Sequence, residues 1–244
     1  SYIGLRQLSS DGTSEPRIKD PSMLPMEFFN SLFLCKKKGF TKRWQAAIYT
    51  MQSDPNFREA GIIDLINLEK SDDETFSIIS KRFGRLSSGH KIVLLTITRL
   101  IETLQEKSLV LMDEPEAHLH PPLLSAFIRT VSDLLVATNG VAIVATHSPV
   151  ILQEVPKSCV WKLRRSGAFS VAERPNTETF GENVGVLTSD VFGLEVSDSG
   201  FYKVLNKVIE DSDLDYEAVL NVFNRQLGME ARSIVMTLIA NKNA

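Results

Sequence analysis

Cysteine is scarce in this chain. Only Cys35 and Cys159 occur in 244 residues, far apart and in no CxxC spacing. No disulfide framework or thiol-based metal knuckle is therefore expected, and both are read as reduced thiols. No apolar run approaches the roughly 20 residues of a membrane span. No secretory signal opens the chain, so a cytoplasmic protein is expected. Basic residues are not in excess either: 27 Lys and Arg face 30 Asp and Glu, for a formal net charge of -3. No global field gathers nucleic acid, and any such binding must come from a local patch. Internal repeats, low-complexity tracts and sustained heptads are missing. What remains is ordinary for a globular chain, 43% hydrophobic and 23% charged, long enough for one large or two small domains around a buried core.

Pattern then divides the chain. Tyr2 to Leu5 reads as a short strand, followed by a polar loop to about residue 20. From Pro25 to Tyr49 paired apolar residues (Phe28/Phe29, Leu32/Phe33, then Trp44, Ala47 and Ile48) predict two helices broken at Gly39. Residues 54–80 mix helix and loop. "LSSGH" at 86–90 opens a long apolar helix to about Lys107, and a strand follows from Ser108 to Met112. Pro121-Pro122 begin a helix that Asn139-Gly140 ends. A second strand runs from Val141 to Thr146, a hairpin turns at Ser166-Gly167, and the pattern from Val191 is mostly helical.

Strand 108–112, helix 121–138 and strand 141–146 form a βαβ unit, which makes parallel neighbours through a right-handed crossover. Both strands are near-continuous apolar runs, as expected for a sheet covered on both faces. "LVLMDEPEAHLHPP" (109–122) ends the first strand on Asp113-Glu114. Buried carboxylates are costly unless paired or bound to a cation, so a strand that delivers two at its tip points to chemistry. Both emerge with His147 at the carboxyl edge, where open α/β sheets bind ligands. Asp113 suits a hydrated Mg²⁺ on a nucleotide. Glu114 points elsewhere and suits a water attacking the γ-phosphate, and His147 suits that phosphate. Ser87, Ser88 and the Gly89 amide sit at a helix N-terminus, a ready anion site.

"LSSGH", "LVLMDEP" and "VATHSP" together resemble the signature, Walker B strand and switch histidine of ABC-type ATPases. The wording "DEPEAHLHP" resembles the soluble branch, the SMC-like repair ATPases and the AAA-type ATPases of bacterial anti-phage defence. The resemblance implies an α/β fold with a mostly parallel sheet and flanking helices, and a dimer holding ATP and Mg²⁺. Asp113 then matches the magnesium ligand, Glu114 the catalytic carboxylate and His147 the switch histidine. Ser87, Ser88 and Gly89 match the signature that reaches the nucleotide of the opposite subunit. His90 stands where the family usually has Gln, and is kept among the nucleotide-binding candidates. Glu116, Ala117 and His118 match the D-loop, which crosses the dimer interface. Gln7 is a candidate Q-loop residue reaching magnesium. The family's phosphate-cradling GxxxxGK loop is not found among the 13 glycines. The chain opens at Ser1 rather than methionine, so it is expected to be the C-terminal portion of a longer ATPase.

The resemblance divides the chain into a core strand and loop (1–19), a helical insertion (20–80), the motif-bearing ATPase core (81–175) and a helical tail (176–244). "ETFGENVGVLTSDVFGLE" (178–195) resembles the tail of defence ATPases that work with a separate nuclease, of the Septu or retron-associated kind. An SMC-like repair ATPase and a non-catalytic scaffold stand as alternatives. Two residue-level alternatives also stay open. Glu116, His118 and His120 with Asp113 and His147 have the spacing of a zinc or manganese cluster. "KKKGFTKRW" (36–44) reads either as a solvated helix end or as a nucleic-acid contact with basic and aromatic residues.

Overall fold

The computed structural model describes residues 20–166, 169–192, 200–210 and 215–242, and the backbone of 6–7 and 17–18. Two compact units divide it, residues 1–155 and 156–244. The hairpin expected around Ser166 falls in the second of these units. The expected strand at Tyr2–Leu5 lies outside the described residues.

In the first unit, β1 (Arg6–Gln7) pairs antiparallel with β2 (Arg17–Ile18). Then come α1 (Leu24–Lys37), α2 (Thr41–Met51), α3 (Pro55–Glu59), α4 (Asp73–Gly84) and α5 (Ser88–Thr103). Gly39, at φ +76°, makes the bend between α1 and α2 that its lack of a side chain permits. α1 buries Phe28, Phe29, Leu32 and Cys35, and α2 buries Trp44, Ala47, Ile48 and Met51. Both stripes follow the three-and-four spacing of an amphipathic helix. They enter one core with α5 and α6 (Pro121–Ala137). Buried polar groups lock the packing: Ser31 donates to Glu102 at 2.7 Å, and the Trp44 indole donates to Thr98 at 3.0 Å. Burial, with the Glu102 charge, pushes the Cys35 thiol up to about 12, leaving a protonated, unreactive core residue.

β3 (Leu109–Asp113) and β4 (Val141–Ala145) pair in parallel, Leu109 opposite Val141 and Asp113 opposite Ala145, with α6 as the crossover. His120 caps α6, Pro121 and Pro122 fill its first turn, and Asn139 at φ +48° ends it. Gly140 is needed for space: a Cβ there would lie 3.1 Å from the Ser108 carbonyl oxygen. The short α7 (Pro149–Leu152) follows β4.

The sheet corrects one expectation. Val110, Met112 and Val144 pack against the core, but Leu109, Leu111, Val141 and Ile143 on the other face are 60–70% exposed. No described segment covers that face, so period-two burial replaces the two-sided burial expected from apolar runs.

In the second unit, β5 (Lys162–Ser166) and β6 (Phe169–Glu173) form an antiparallel hairpin. α8 (Val184–Phe192), α9 (Gly200–Glu210), α10 (Tyr216–Val222) and α11 (Met229–Lys242) complete the tail. Leu205, Ile209, Val219 and Val235 form its small core. The buried Lys162 ammonium lies 3.3 Å from the Asp190 carboxylate and ties the hairpin to α8. The Thr177 amide, donating to Asp190, holds that carboxyl below the usual carboxylate range despite partial burial.

Candidate functional site

The parallel register sets Asp113 at the last paired position of β3 and sends Glu114 out of the ladder beside β4. Glu114 donates its amide to the Ala145 carbonyl at 2.9 Å and takes φ +45°. A left-handed conformation is uncommon for a residue with a long side chain and concentrates where function over-determines the backbone. The Glu114 carboxylate lies 3.5 Å from His147 Nδ1, and both side chains are well exposed at 61% and 69%. Strand ends therefore bring together two groups that are 33 positions apart in sequence, since β3 and β4 are neighbours in one sheet.

Glu116 holds this arrangement in place. Its Oε1 accepts the Thr146 hydroxyl at 2.7 Å and the His147 amide at 2.9 Å, and lies 3.5 Å from His147 Nδ1. Its other oxygen is buried and meets no hydrogen-bond donor among the described residues. Sequence reading assigned Glu116 to an interface loop and missed this clamp, because nothing local pairs residue 116 with residues 146 and 147.

The second cluster forms around the start of α5. Ser87 and Ser88 are exposed, while Gly89 is buried against the loop that follows β3. A Cβ on Gly89 would lie 3.0 Å from the His118 carbonyl oxygen and 3.1 Å from Leu119 Cδ2, so only glycine admits that approach. Ser87 caps α5, accepting from the His90 amide at 3.4 Å, and its hydroxyl lies 2.5 Å from His90 Nδ1. An open recess of about 400 Å³ adjoins it, lined by Asn56, Glu59, Arg85, Ser87 and His90 among others.

His90 stands behind Ser87 at the start of α5. Its ring is 3% exposed and turns inward, with Nε2 3.0 Å from Asp54 Oδ1. His120 Nε2 lies 3.2 Å from the other Asp54 oxygen. Asp54, 1% exposed, also caps α3 by accepting from the Phe57 amide. Burial alone raises the Asp54 carboxyl, but the His90 hydrogen bond, the Phe57 amide and the two imidazoles outweigh it and hold the group below its ordinary value.

Among the described residues, Asp54, His90 and His120 are the trio close enough to share a metal ion. This is not the cluster expected from the H-x-H spacing: His120 joins Asp54 and His90 rather than Glu116, Asp113 and His147. Its hydrogen bonds argue against a metal. His120 Nδ1 accepts from the Leu123 amide at 3.2 Å, so the neutral ring carries its proton on Nε2, the nitrogen a metal would need.

The basic segment 36–44 is largely engaged in structure. Lys36 donates to the Leu68 carbonyl, Lys38 to the Glu102 carbonyl at 2.9 Å, and Arg43 lies over Phe40. Trp44 is fully buried and has no face to offer a base. Arg82 reaches the Gly61 carbonyl at 2.5 Å. The side chain of Gln7 lies outside the described residues; its backbone is in β1.

Residues 29–153, which carry both clusters, match the family described as "AAA domain, putative AbiEii toxin, Type IV TA system", and the chain belongs to that family. It is an AAA domain of α/β architecture with a helical C-terminal tail. The chain is similar to Protein ea59 of Escherichia phage lambda, 47% identical over 258 residues, covering 99% of this chain and 48% of that protein. It is also similar to Septu protein PtuA of Bacillus thuringiensis, 27% identical over 236 residues, covering 83% of this chain and 58% of that protein. The chain thus spans about half the length of these relatives. Among the described residues no helix is long and apolar enough to cross a membrane.

Proposed function

We propose that this chain supplies the signature, magnesium-binding and hydrolytic groups of an ABC-type ATPase that dimerises around ATP. The observation that carries the reading is Glu114 beside His147, 3.5 Å apart and exposed at the ends of two parallel strands. The donor set fits magnesium: an exposed carboxylate at a strand tip with a second beside it, all oxygen ligands. Asp113 would hold that ion, which neutralises phosphate charge when bound. Glu114 takes the proton of the attacking water as the water oxygen bonds to the γ-phosphorus and the bond to the bridging oxygen breaks, giving ADP and phosphate. His147, oriented by Glu116, steadies the γ-phosphate. Ser87, Ser88 and Gly89 receive the phosphate held by a second copy of the chain. No GxxxxGK run occurs in these 244 residues, so the groups named here account for these parts of the site only.

By the likeness to Septu protein PtuA, and by the wording of residues 178–195, the ATPase governs a separate effector, a nuclease, in anti-phage defence. The test uses the full product of the natural gene. Wild type should hydrolyse ATP, and Glu114→Gln should bind ATP without turnover and accumulate as a dimer in light scattering. Normal turnover by Glu114→Gln, or wild type that does not bind ATP, overturns the reading.

A further inference from the structure

We propose that Arg85 is a catalytic residue, an arginine finger that reaches from one copy of the chain to the γ-phosphate held by the other. The proposal rests on the reading of Ser87, Ser88 and Gly89 as the groups that receive that phosphate.

Two arginines precede α5, and their surroundings differ. Arg82 is committed inside the fold. It donates to the Gly61 carbonyl at 2.5 Å and lies 3.6 Å from Asp64. Gly61 stands at φ +62°, so Arg82 braces a left-handed turn. Arg85, three positions later at the C-terminal cap of α4, is exposed. Among the described residues no hydrogen bond or ion pair engages its guanidinium.

Its main chain is nevertheless fixed. The Arg85 amide donates to the Arg82 carbonyl and the Leu86 amide to the Phe83 carbonyl, both at 3.2 Å. Leu86 is buried in the core, and Ser87 caps α5 directly after it. A finger needs this combination: an anchored backbone, and a charged fork with no protein partner to give up.

Arg85 and Ser87 line the same open recess, together with Asn56 and Glu59 of α3. Glu59 is the one carboxylate of that lining, and no ion pair joins it to Arg85. The first turn of α5 carries no acid either, where one would offset the positive helix end. The positive charge beside Ser87 is therefore left for an anion.

A guanidinium is always charged and can place two N–H donors on two phosphate oxygens. As water oxygen bonds to the γ-phosphorus and the bond to the bridging oxygen breaks, negative charge spreads over the phosphoryl oxygens. Arg85 stabilises that charge by hydrogen bonding, and no proton leaves it. Ser87 meets the nucleotide of the other copy on the reading above. Arg85, two residues away on the same anchored turn, meets it too, so fast hydrolysis waits for the dimer.

The full gene product is used throughout the test. Arg85→Ala should lower kcat by about 10²-fold, the cost of removing one preorganised donor, with ATP binding and the thermal melt retained. Lys81→Ala removes an equal charge from an exposed position one turn earlier on α4 and should leave kcat unchanged. Differently tagged Arg85→Ala and Glu114→Gln chains are then co-expressed, and the mixed dimer is isolated through both tags. One of its sites joins an intact Glu114 to an intact Arg85 from the other copy. That site should cleave its ATP at the wild-type single-turnover rate. A finger acting within its own copy would leave each site short of one group, and the fast cleavage would be lost. Wild-type kcat in Arg85→Ala, an equal loss in Lys81→Ala, or a mixed dimer without fast cleavage overturns the proposal and leaves the ATPase reading intact. Wild type that neither binds nor hydrolyses ATP overturns both.

Discussion

Glu116 Oε1 accepts the backbone amide of His147 at 2.9 Å, joining the loop after β3 to the loop after β4 across the open end of the sheet. The same oxygen holds the Thr146 hydroxyl, which in turn accepts the Ser148 amide. One carboxylate thus fixes the backbone on which His147 is presented. His147 itself is too exposed to be held by packing, so its orientation depends on that clamp.

Replacing Glu116 by Ala removes the acceptor for two donors in one step. Each hydrogen bond to a charged group contributes about 1.5–3 kcal/mol, and the Glu116 side chain is only 11% exposed. A lower urea midpoint and a fall in kcat of about tenfold or more are expected. Glu116→Gln retains an oxygen acceptor and should keep most of the stability. Equal stability and turnover in wild type and the Ala variant would remove the clamp from the mechanism.

Glu114→Gln preserves shape and removes the proton acceptor. General-base groups contribute about 10²–10⁴-fold, so turnover should drop by that order while ATP binding persists. Single-turnover measurements separate the chemical step from product release. A loss confined to binding would contradict the role given to Glu114.

Asp54 links stability to pH. Its folded-state pKa is depressed, so its contribution is present above the unfolded carboxylate value, about 3.9, and is lost as pH falls through the lower folded value. At neutral pH Asp54→Ala should cost about 2–4 kcal/mol, from a lost helix cap and two lost imidazole bonds. The gap between wild type and variant should close toward acid in urea melts recorded across pH. A gap that widened on acidification would reverse the assigned sign.

Gly89→Ala places a methyl 3.0 Å from the His118 carbonyl oxygen. Backbone yields less readily than a side chain, so the loop at 116–120 must shift. A loss of about 1–3 kcal/mol follows from overpacking of this kind. Thermal melts and amide exchange in residues 116–120 would show it. An unshifted Tm would mean that the loop gives way without cost.

Much of this architecture is legible in the amino-acid sequence. The break at Gly39, the start of α5 at "LSSGH", the strand–helix–strand order and the pairing of β5 with β6 follow from signals confined to a few residues: caps, prolines, and periods of 3.6 and 2. The place of Asp113-Glu114 at a strand tip is legible too, because two carboxylates after four apolar residues are a local anomaly. Helix ends were less sharp. α5 stops at Thr103 rather than Lys107, since the chain must turn to enter β3 and no residue there announces it.

Tertiary structure decided the rest. Apolar runs read the same whether one face of a strand is covered or both, so the exposure of Leu109, Leu111, Val141 and Ile143 among the described residues could not be inferred. The Glu116 clamp and the His90–Asp54–His120 contacts join residues about 30 or more positions apart. Hydrogen bonds between distant segments leave no spacing in the sequence, because their partners meet only once helices and strands have packed. Sequence alone determined which residues could carry the chemistry. Packing alone decided that His90 turns inward to a buried carboxylate instead of outward to a ligand.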